Sequence, residues 1–574
     1  MDSGLFRTRW WRPVTFVAAA AIAITACSTG NNQTSSQKAP ANQQVYRVND
    51  GTEPNSFDPG QQTYTYEAAF GRNVFQPLLG LKQDLSDVEP LTADSYKVSS
   101  DGLTYTFHIR NNAKWSDGKA VTAQDFVYGW QRLLNPALAA GYVDPFFDNT
   151  VAGGQDYGNV SPTDAGAIDK FLAGLGLSAP DAQTFQVKLQ KPFPSFKYVA
   201  TLWVGAPIRK DLVEGAAGGS FPSTDTTKGE AWAQDPTKIV GNGPFVATEH
   251  VAKDHLTLVP NKYYWNGQAT IQKLTMYFIE DANTAFSQYK TGALDQIMVP
   301  AALSSTVQND SKLKNELIKI PVLTTFWMSY NLRNPILANK QVRMALAKSI
   351  DRGKLAADVE HGQARATTSF IPQGMPGHDE SAGSAQKYDP SAAKQMLQQS
   401  GVTAQQLSGL KLLTRNTTRN KTINEFIAAQ WKANLGVDIA LEVIDSKTVT
   451  SRIRKAQFDI YGPDGWGADY PDQQDWYDIW LSSVCGKGFN WGCWKSTEYD
   501  SLVTAADGDL NNSDRSSKYS QAQKILLDDA GVGMLFQTVE WDIKKSYVQV
   551  QYTNIDDQGL PGDLRYHDAY ITSH

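Results

Sequence analysis

The sequence is poor in cysteine and histidine, and positive charge does not predominate in it. Three cysteines and seven histidines occur among 574 residues, and no histidine has the HExxH or a similar metal-ligand spacing. Lysine and arginine number 53 against 59 aspartates and glutamates, which gives a net charge of -6. Because phosphate binding needs a basic surface, this balance argues against nucleic acid as the main partner, and the histidine spacing predicts no metal site.

Short catalytic motifs are also missing. The sequence contains no GxSxG nucleophile elbow, no GxxxxGK phosphate loop followed by serine or threonine, and no GxGxxG after a strand. These absences lower the expectation of a hydrolase, a kinase or a dehydrogenase. The sequence therefore predicts a protein that is not an enzyme and that holds no cofactor.

One apolar run occurs near the N-terminus, and it is too short to cross a bilayer as an ordinary helix. Three arginines between positions 7 and 12 precede apolar residues 14–26, as in an export signal, whereas a membrane span needs about 20 apolar residues. The run ends in ITAC (residues 24–27), which resembles a bacterial lipobox. We expect residues 1–27 to be a lipoprotein signal peptide ending at lipidated Cys27; the alternative is a plain signal peptide with an incidental cysteine.

A polar segment follows directly. Residues 28–44 (STGNNQTSSQKAPANQQ) contain almost no apolar side chain. This composition predicts a disordered tether with a root-mean-square length of about 20–25 Å, by the scaling of flexible linkers. Such a tether would hold a folded body that begins near Val45 just off a membrane.

The two remaining cysteines, Cys485 and Cys493, lie eight positions apart. Outside the cytoplasm they are expected to pair, and closing so short a loop would contribute about 2–3 kcal/mol in the chain-entropy model. The alternative is two unrelated free thiols. Metal binding is disfavoured because neither cysteine has a histidine close by in sequence.

Helical and extended patterns alternate along the chain. Apolar and polar residues alternate in TYTFHIR (residues 104–110), which predicts a strand, and Thr122 is the predicted N-cap of a helix with Asp125 three residues on. Further helices are predicted at residues 342–350, 390–400 and 423–435, and further strands at residues 437–443 and 458–461. This interleaving predicts an α/β or α+β fold.

The segment GWGADYP (residues 465–471) is the sharpest local signal for a binding site. Two glycines flank Trp466 and expose the backbone, and Asp469 follows between aromatic rings. A carboxylate in such a place suits the ammonium group of a ligand, because a charge-assisted hydrogen bond in a partly dry cleft is stronger than a neutral one. The alternative is that Asp469 caps a turn or pairs with a nearby arginine.

Seven motifs follow one another in a characteristic order. They are YRVNDGTEPNSFDP (residues 46–59), DGLTYTFHIRNNAKWSDGKAVTAQDFVYGWQRLLNP (101–136), VGNGPF (240–245), NKYYW (261–265), YKTGALD (289–295), NKQVRMALAKSIDR (339–352) and GWGADYPD (465–472). With these motifs the chain resembles the family 5 extracellular solute-binding proteins, the large oligopeptide- and dipeptide-binding lipoproteins of ABC importers. The resemblance runs from about Val45 to the C-terminus.

This resemblance implies two lobes joined by a hinge, the type II fold of periplasmic binding proteins, with an extra subdomain inserted in the N-terminal lobe. Lobe I would comprise residues 45–85, 195–321 and 541–574, the inserted subdomain residues 86–194, and lobe II residues 322–540. Two chain crossings, near Pro321 and near Glu540, would form the hinge about which the lobes close on a ligand.

The resemblance also implies the residues of the site. The aspartate that receives the α-amino group of a peptide matches Asp469, and Gly467 would offer backbone groups to the ligand. The other matching positions are Gly465, Trp466, the pocket residue Tyr142, the segment Thr63, Tyr64 and Thr65 beside the peptide backbone, and one arginine, Arg452 or Arg454. The chain departs from the family at Thr63, which replaces an acidic residue, at Gly467, which replaces a cysteine of one subgroup, and at residues 446–448, where some members carry tryptophan.

The function implied by the resemblance is capture of oligopeptides outside the cell. An extended peptide would lie between the lobes and pair through its backbone, so that affinity does not depend on its side chains. The monomer, held by its lipid at the extracytoplasmic face of the bacterial cell membrane, would deliver the peptide to the permease subunits of an ABC importer powered by a separate ATPase. The alternative is a receptor of the same fold for a nickel chelate, an oligosaccharide or a siderophore-like ligand.

Overall fold

The computed structural model describes residues 37–143, 146–216, 231–486, 489–555 and 560–574. The predicted signal peptide, the predicted lipidation at Cys27 and the first part of the predicted tether lie outside the described residues. Within those residues, no helix combines the length and the hydrophobicity that a bilayer span requires.

The strands are short at the periphery and long at the centre. They are β1 (Val45–Asn49), β2 (Leu79–Leu81), β3 (Val88–Pro90), β4 (Ala93–Val98), β5 (Thr104–Ile109), β6 (Leu177–Ser178), β7 (Thr184–Lys188), β8 (Phe245–Val251), β9 (His255–Pro260), β10 (Lys273–Tyr277), β11 (Gln296–Met298), β12 (Leu317–Tyr330), β13 (Ala364–Ala366), β14 (Lys411–Arg415), β15 (Ala440–Ile444), β16 (Ile460–Gly467), β17 (Val532–Lys544), β18 (Val548–Gln549) and β19 (Tyr570–Ile571).

The helices alternate with these strands along the chain. They are α1 (Thr65–Val74), α2 (Ala123–Leu133), α3 (Ala165–Ala173), α4 (Phe196–Val199), α5 (Lys210–Ala216), α6 (Ala282–Thr291), α7 (Ser304–Asn309), α8 (Leu313–Glu316), α9 (Pro335–Ala338), α10 (Lys340–Lys348), α11 (Arg352–Lys354), α12 (Pro390–Gln399), α13 (Ala404–Ser408), α14 (Thr418–Leu435), α15 (Ser446–Arg454), α16 (Gln474–Tyr477), α17 (Thr497–Asp507) and α18 (Asn512–Asp528). The mixed α/β class predicted from the sequence is confirmed.

One large mixed sheet runs through the molecule. Its strand order is β15-β14-β16-β12-β17-β11-β1-β10-β9-β8, and β13 pairs with β17 beside this path. The long strands β12 and β17 are antiparallel partners at its centre. On one side of this central pair, β17 pairs with β11, and the sheet continues through β1 and β10. On the other side of the pair, β12 pairs with β16. The two central strands therefore connect two halves of the sheet.

The register between β12 and β17 changes where the sequence predicts the hinge. Pro321 pairs with Val539, and the next pair is Thr325 with Gln537. Residues 322–324 of β12 therefore have only residue 538 of β17 opposite them, and an irregularity of this kind bends a strand locally. The assignment of the two halves to lobes with the predicted boundaries stays a prediction.

A separate antiparallel sheet has the order β4-β5-β7-β6. The helix that packs on it, α2, begins as predicted, because Asp125 Oδ2 accepts the backbone N–H of Thr122 at 2.8 Å. Phe126 and Trp130 are fully buried, with ring centroids 5.8 and 5.4 Å from that of Phe185 on β7. The apolar residues of α2 recur at helical spacing and so cover one face of this sheet.

Three of the other predicted elements form with small shifts at their ends. α10 and α12 lie where helices are predicted, and α14 begins at Thr418 instead of residue 423, since Thr417 Oγ1 accepts the backbone N–H of Asn420 at 3.2 Å. Gly436 ends α14 in the left-handed region, with φ of 72°. The strand predicted after it is β15.

The predicted tether is too long at its C-terminal end. Ala39 is buried, and its backbone N–H donates to Ile571 O at 2.9 Å. Gln44 is buried as well: its Nε2 donates to Ala39 O at 2.7 Å, and its Oε1 accepts the backbone N–H of Ile571 at 2.7 Å. Ala39 and Gln44 therefore belong to the folded body, whereas the sequence predicted a solvated tether as far as residue 44.

Candidate ligand-binding site

Asp469 meets Tyr142, although the two residues are far apart in sequence. The Tyr142 hydroxyl donates to Asp469 Oδ1 at 3.1 Å. The ring of Tyr142 packs edge-on against Trp203, with centroids 5.1 Å apart, and stacks on Phe146 at 5.6 Å. Phe146 in turn contacts the edge of Tyr470, the residue after Asp469. Two of the predicted site residues are thus brought together and held among aromatic rings.

A second carboxylate lies directly beside Asp469. The backbone N–H of Asp469 donates to Asp475 Oδ2 at 3.0 Å. Burial raises the pKa of Asp469 to about 7, and the hydrogen bond from Tyr142 opposes this shift. Burial, and then the charge of Asp469, raise the pKa of Asp475 well above its ordinary value. No cation lies within ion-pair distance of either carboxylate in the part of the chain that the structure describes, so nothing compensates the ionised forms and protonation of the pair is favoured.

Neither alternative role of Asp469 is seen. Among the described residues its side chain accepts only the Tyr142 hydroxyl, so it neither caps a turn nor pairs with an arginine. Asp469 lines a cavity of about 310 Å³ that also includes Arg72 and Trp203. The guanidinium of Arg72 is held by Asp563 at 3.1 Å, which leaves Asp469 without that partner.

Gly465, Trp466 and Gly467 lie inside β16. Their partners on β12 are Phe326, Thr325 and Thr324, respectively. On its other side β16 pairs with β14 only through Ile460 and Tyr461. Beyond these pairs, this edge of β16 has no strand partner among the described residues. Such an edge presents N–H and C=O groups to an extended ligand.

Close approach of two backbones explains the glycine at position 465. A Cβ there would lie 2.6 Å from the ring of Phe326 and 2.8 Å from Thr325 O. Glycine thus lets β16 continue against β12 to Gly467, where the sequence predicted a strand that ended at residue 461. The neighbouring Trp466 places its ring edge-on to Phe489, with centroids 4.9 Å apart.

The segment Thr63, Tyr64 and Thr65 leads into α1, of which Thr65 is the first residue. Glu67 Oε2 accepts the backbone N–H groups of Thr63 and Tyr64, at 2.7 and 2.9 Å. Thr63 packs so closely on Gly141 that a Cβ at position 141 would lie 2.0 Å from Thr63 Cγ2. The segment therefore borders the turn that carries Tyr142, and two of its amide donors are occupied.

The two candidate arginines on α15 differ in their surroundings. Arg452 Nη1 donates to Glu442 Oε1 at 2.6 Å, and its Nε donates to Gln457 O at 2.9 Å. Arg454 is exposed and lines a cavity of about 520 Å³ together with Asp464. The sequence left the choice between the two arginines open. In the structure Arg454 lines a cavity, whereas Arg452 forms hydrogen bonds with Glu442 and Gln457.

Cys485 and Cys493 form a disulfide, with Cα atoms 4.5 Å apart. The loop that it closes carries Phe489 and Trp491 into the lining of the larger cavity. Sequence reasoning missed this cavity and the role of Asp475 beside Asp469. Asp464 and Asp475 stand on either side of the GWGADYP motif, but nothing in the sequence indicates which of its carboxylates become buried.

The arrangement suits ligand binding. It combines a buried carboxylate pair, the unpaired edge of β16 and several aromatic rings. Within the described residues, no cluster of three or more histidine, cysteine, aspartate or glutamate side chains has the form of a metal site. A mixed sheet divided about two long central strands, with a ligand site beside them, defines the class of two-lobed solute-binding proteins.

Comparisons with known proteins support this class. The chain is similar to the periplasmic murein peptide-binding protein MppA of Escherichia coli, at 28% identity over 533 residues, 91% of this chain and 92% of that protein. It is similar in structure to MppA in its unliganded open form, with a TM-score of 0.77, 26% identity and coverage of 94% and 99% of the two chains. Haemophilus influenzae OppA in complex with RPPGFSPFR gives a TM-score of 0.70, 26% identity and coverage of 92% and 99%.

A relative with a different named ligand is also similar. The probable deoxycholate-binding periplasmic protein YgiS of Escherichia coli is 27% identical over 521 residues, 88% of this chain and 90% of that protein. A sequence profile of the bacterial extracellular solute-binding proteins, family 5 Middle, matches residues 87–488. The chain belongs to this family, and a location outside the cytoplasm follows from that membership.

Proposed function

We propose that this protein is the receptor of an ABC importer, which captures oligopeptides outside the cytoplasm and delivers them to the permease subunits, with a separate ATPase supplying the energy. The observation that carries the proposal is the pair of buried carboxylates, Asp469 and Asp475, without a cation and close to an unpaired strand edge. Burying a carboxylate is unfavourable unless a cation offsets the loss of solvation. The α-ammonium group of a peptide provides that cation at the start of an extended backbone.

The rest of the peptide would add to β16 as a further strand. Gly465 and Gly467 have no side chain that could obstruct the approach of a second backbone. Main-chain hydrogen bonds are the same for every peptide sequence, so this mode of binding gives affinity without strong side-chain selectivity. Trp466 and Tyr142 would form the walls of the nearest side-chain pockets, and ordered water would fill the remaining space.

The segment Thr63, Tyr64 and Thr65 would approach the peptide from the other lobe. Because Glu67 already holds the amide groups of Thr63 and Tyr64, the segment would accept hydrogen bonds from the peptide more readily than donate them. The lobes would have the boundaries predicted from the sequence. Their closure would bend the strands β12 and β17 where their register changes.

The protein would work as a monomer at the outer face of the cell membrane. A lipid on Cys27 would be its anchor, and a tether of residues 28–37 would connect the anchor to the folded body. This tether is shorter than the sequence alone suggested, because Ala39 and Gln44 form hydrogen bonds with Ile571.

A same-fold receptor for a non-peptide solute is the second candidate. It is favoured by the similarity to YgiS, a relative named as probable deoxycholate-binding. A nickel chelate, an oligosaccharide or a siderophore-like ligand would belong to this candidate as well. In that case Asp469 would face a different cation or a hydroxyl group, and the edge of β16 would not need to be filled by a strand.

Native mass spectrometry of the gently purified protein, before and after partial unfolding, separates the two candidates. We expect released masses that correspond to peptides of mixed sequence within a narrow range of length. A single non-peptide mass or a metal complex would contradict the peptide proposal and support the second candidate. The same measurement on variants of Asp469 then shows whether binding of the released ligand depends on this carboxylate.

A further inference from the structure

The folded body begins at Lys38, and one loop joins this residue to the C-terminal segment. Lys38 Nζ donates to Thr270 Oγ1 at 3.5 Å, and Thr270 belongs to the loop between β9 and β10, residues 261–272. The same loop contacts the C-terminal segment, where His567 Nε2 lies 3.2 Å from Gly267 O. The first and the last residues of the folded body therefore meet at this loop.

The turn between β5 and α2 contacts the same loop. Asn112 Nδ2 donates to Trp265 O at 3.2 Å. The ring of Tyr263 lies against this turn as well, since a Cβ at Gly118 would lie 3.0 Å from it. One surface is thus built from three segments that are distant in sequence.

Four cations lie over three half-buried aromatic rings on this surface. Measured from the lysine nitrogen or the central guanidinium carbon to the ring centroid, the pairs are Lys38 over Tyr570 at 4.6 Å, Arg110 over Trp265 at 3.8 Å, Lys262 over Tyr263 at 4.8 Å and Lys114 over Tyr263 at 6.0 Å. We call these seven residues the basic–aromatic patch. Amphipathic rings beside lysine and arginine are typical of surfaces that contact the headgroup region of a bilayer.

Positive charge predominates in the basic–aromatic patch. In the described part of the chain, none of its four cations lies within ion-pair distance of a carboxylate. Asp117, in the turn after β5, is paired with Arg209 at 2.8 Å. Asp568 lies 2.8 Å from His567 Nδ1, and its pKa is lowered first by His567 and to a smaller extent by Lys38. The patch therefore differs from the chain as a whole, which has a net charge of -6.

The chain that precedes Lys38 is short. Eleven positions separate Lys38 from Cys27, the proposed site of lipidation. A chain of this length spans at most about 40 Å when fully extended, and about 17–20 Å as a root-mean-square distance when it is flexible. A lipid on Cys27 would therefore keep Lys38, and the patch around it, near the membrane surface.

We propose that the basic–aromatic patch docks on the anionic headgroups of the membrane to which the protein is anchored. The inference rests on the lipid anchor of the proposed function. Each lysine or arginine near an anionic membrane strengthens association about fivefold, so four cations favour one docked orientation of a body that a lipid already holds nearby. The same lipids repel the negative charge of the rest of the chain, which disfavours the other orientations.

Amine labelling of the lipidated protein on vesicles tests the inference. One vesicle preparation is phosphatidylcholine alone, and the other contains about 30 mol% phosphatidylglycerol. At about 20 mM salt, we expect Lys114 and Lys262 to react with a water-soluble amine reagent at least about fivefold more slowly on the anionic vesicles. The difference should disappear at about 0.5 M salt, where the Debye length is about 4 Å. Lys394, exposed on α12, should react equally on both vesicles.

Two double variants provide the matched comparison. Lys38→Gln combined with Lys262→Gln removes two charges from the patch and leaves its rings in place. The protection of Lys114 on anionic vesicles should then fall to about twofold or less, since two lysines together contribute about 25-fold. Lys394→Gln combined with Lys455→Gln removes the same charge from exposed positions outside the patch, and here the protection of Lys114 should be retained.

Flotation of the vesicles, measured on the same samples, separates the outcomes. Protection on anionic vesicles that is lost in the patch variant assigns the patch to the membrane. Equal labelling on both vesicles, with the protein still floating with them, overturns the docking and leaves the anchor and the peptide receptor standing. Protein that does not float overturns the lipid anchor together with this inference. Protection that appears only after the permease is added assigns the patch to a protein partner and overturns membrane docking.

Discussion

Asp475 Oδ2 accepts the backbone N–H of Asp469 at 3.0 Å, so one acidic residue positions another inside the ligand site. An uncharged acceptor in the place of Asp475 would hold the same N–H without adding a second buried carboxylate. The observed choice places two carboxyl groups together without a cation, so burial makes ionisation of either group unfavourable in the ligand-free state. That property suits a receptor whose ligand brings the missing positive charge.

Replacement of the proposed anchor by its neutral isostere is the most direct test of that role. We expect Asp469→Asn to weaken peptide binding by about tenfold or more, the scale of one lost charge-assisted hydrogen bond. The variant should fold normally, since asparagine can still accept the Tyr142 hydrogen bond. Asp438→Asn is the matched control, because Asp438 pairs with Lys432 at an exposed position of the same half of the sheet; unchanged affinity in both variants would exclude the amine anchor.

Peptide affinity should depend on pH through Asp469. Burial raises the pKa of this carboxylate to about 7 in the ligand-free protein, and an ammonium group binds the ionised form. Below pH 7 the ligand must displace a proton, so affinity should fall with decreasing pH, by up to about tenfold per pH unit. Above about pH 8 it should fall again as the peptide α-amine, of pKa about 7.7–8.0, loses its charge.

Calorimetry in two buffers of different ionisation enthalpy measures this proton release directly. Wild-type protein should release protons on binding at pH 6, and Asp469→Asn should release fewer. An affinity that stays constant between pH 5 and pH 7 would contradict the pKa assigned to the anchor. A residual pH dependence in the variant would instead report the carboxylate of Asp475.

Ionisation of the same carboxylate should lower the stability of the ligand-free protein as pH rises, whereas it should raise the affinity for peptide. The pKa of Asp469 is higher in the folded than in the unfolded state, so its contribution to stability is fully present below about pH 4 and is lost as pH rises through about 7. Asp469→Asn cannot ionise. Its Tm should equal that of the wild type at pH 4 and exceed it by about 1–3 °C at pH 8, in differential scanning calorimetry without peptide.

Gly465 should tolerate no side chain. A Cβ at this position would lie 2.6 Å from the ring of Phe326 and would force β16 away from β12. We expect Gly465→Ala to lower the free energy of unfolding by about 1–3 kcal/mol and to weaken peptide binding, since the open edge of β16 would move. Gly158→Ala is the matched control, because a Cβ at Gly158 would meet no atom within 4 Å; equal stability of the two variants would refute the close approach.

Local elements of the fold could be predicted well from the sequence. The capping pair Thr122 and Asp125 acts through neighbours in the chain, and it is where the pattern places it. The segment around Gln44 could not be predicted, because its hydrogen bonds reach Ile571 at the far end of the chain. The polar composition of such a segment predicts that it is solvated, whereas in the structure the Gln44 side chain forms hydrogen bonds within the folded body.

The candidate site divides in the same way. The motif around Trp466 and Asp469 was recognisable as a ligand segment from its residue types. Its conformation as a strand was not, since the reason for Gly465 is the backbone of β12, more than a hundred residues earlier. The pairing of Asp469 with Tyr142 likewise depends on tertiary structure. The resemblance to a family indicated both residues but not the hydrogen bond between them.

The unpaired edge of β16 has a consequence for the protein when no ligand is bound. A free strand edge can template the addition of any extended chain, including a partly unfolded copy of the same protein. Pro463 has no N–H to offer at the start of this edge, which removes one of the hydrogen bonds that such a chain could form. A bound peptide would occupy the edge completely, so in a cell envelope the cargo would also protect its carrier from aggregation.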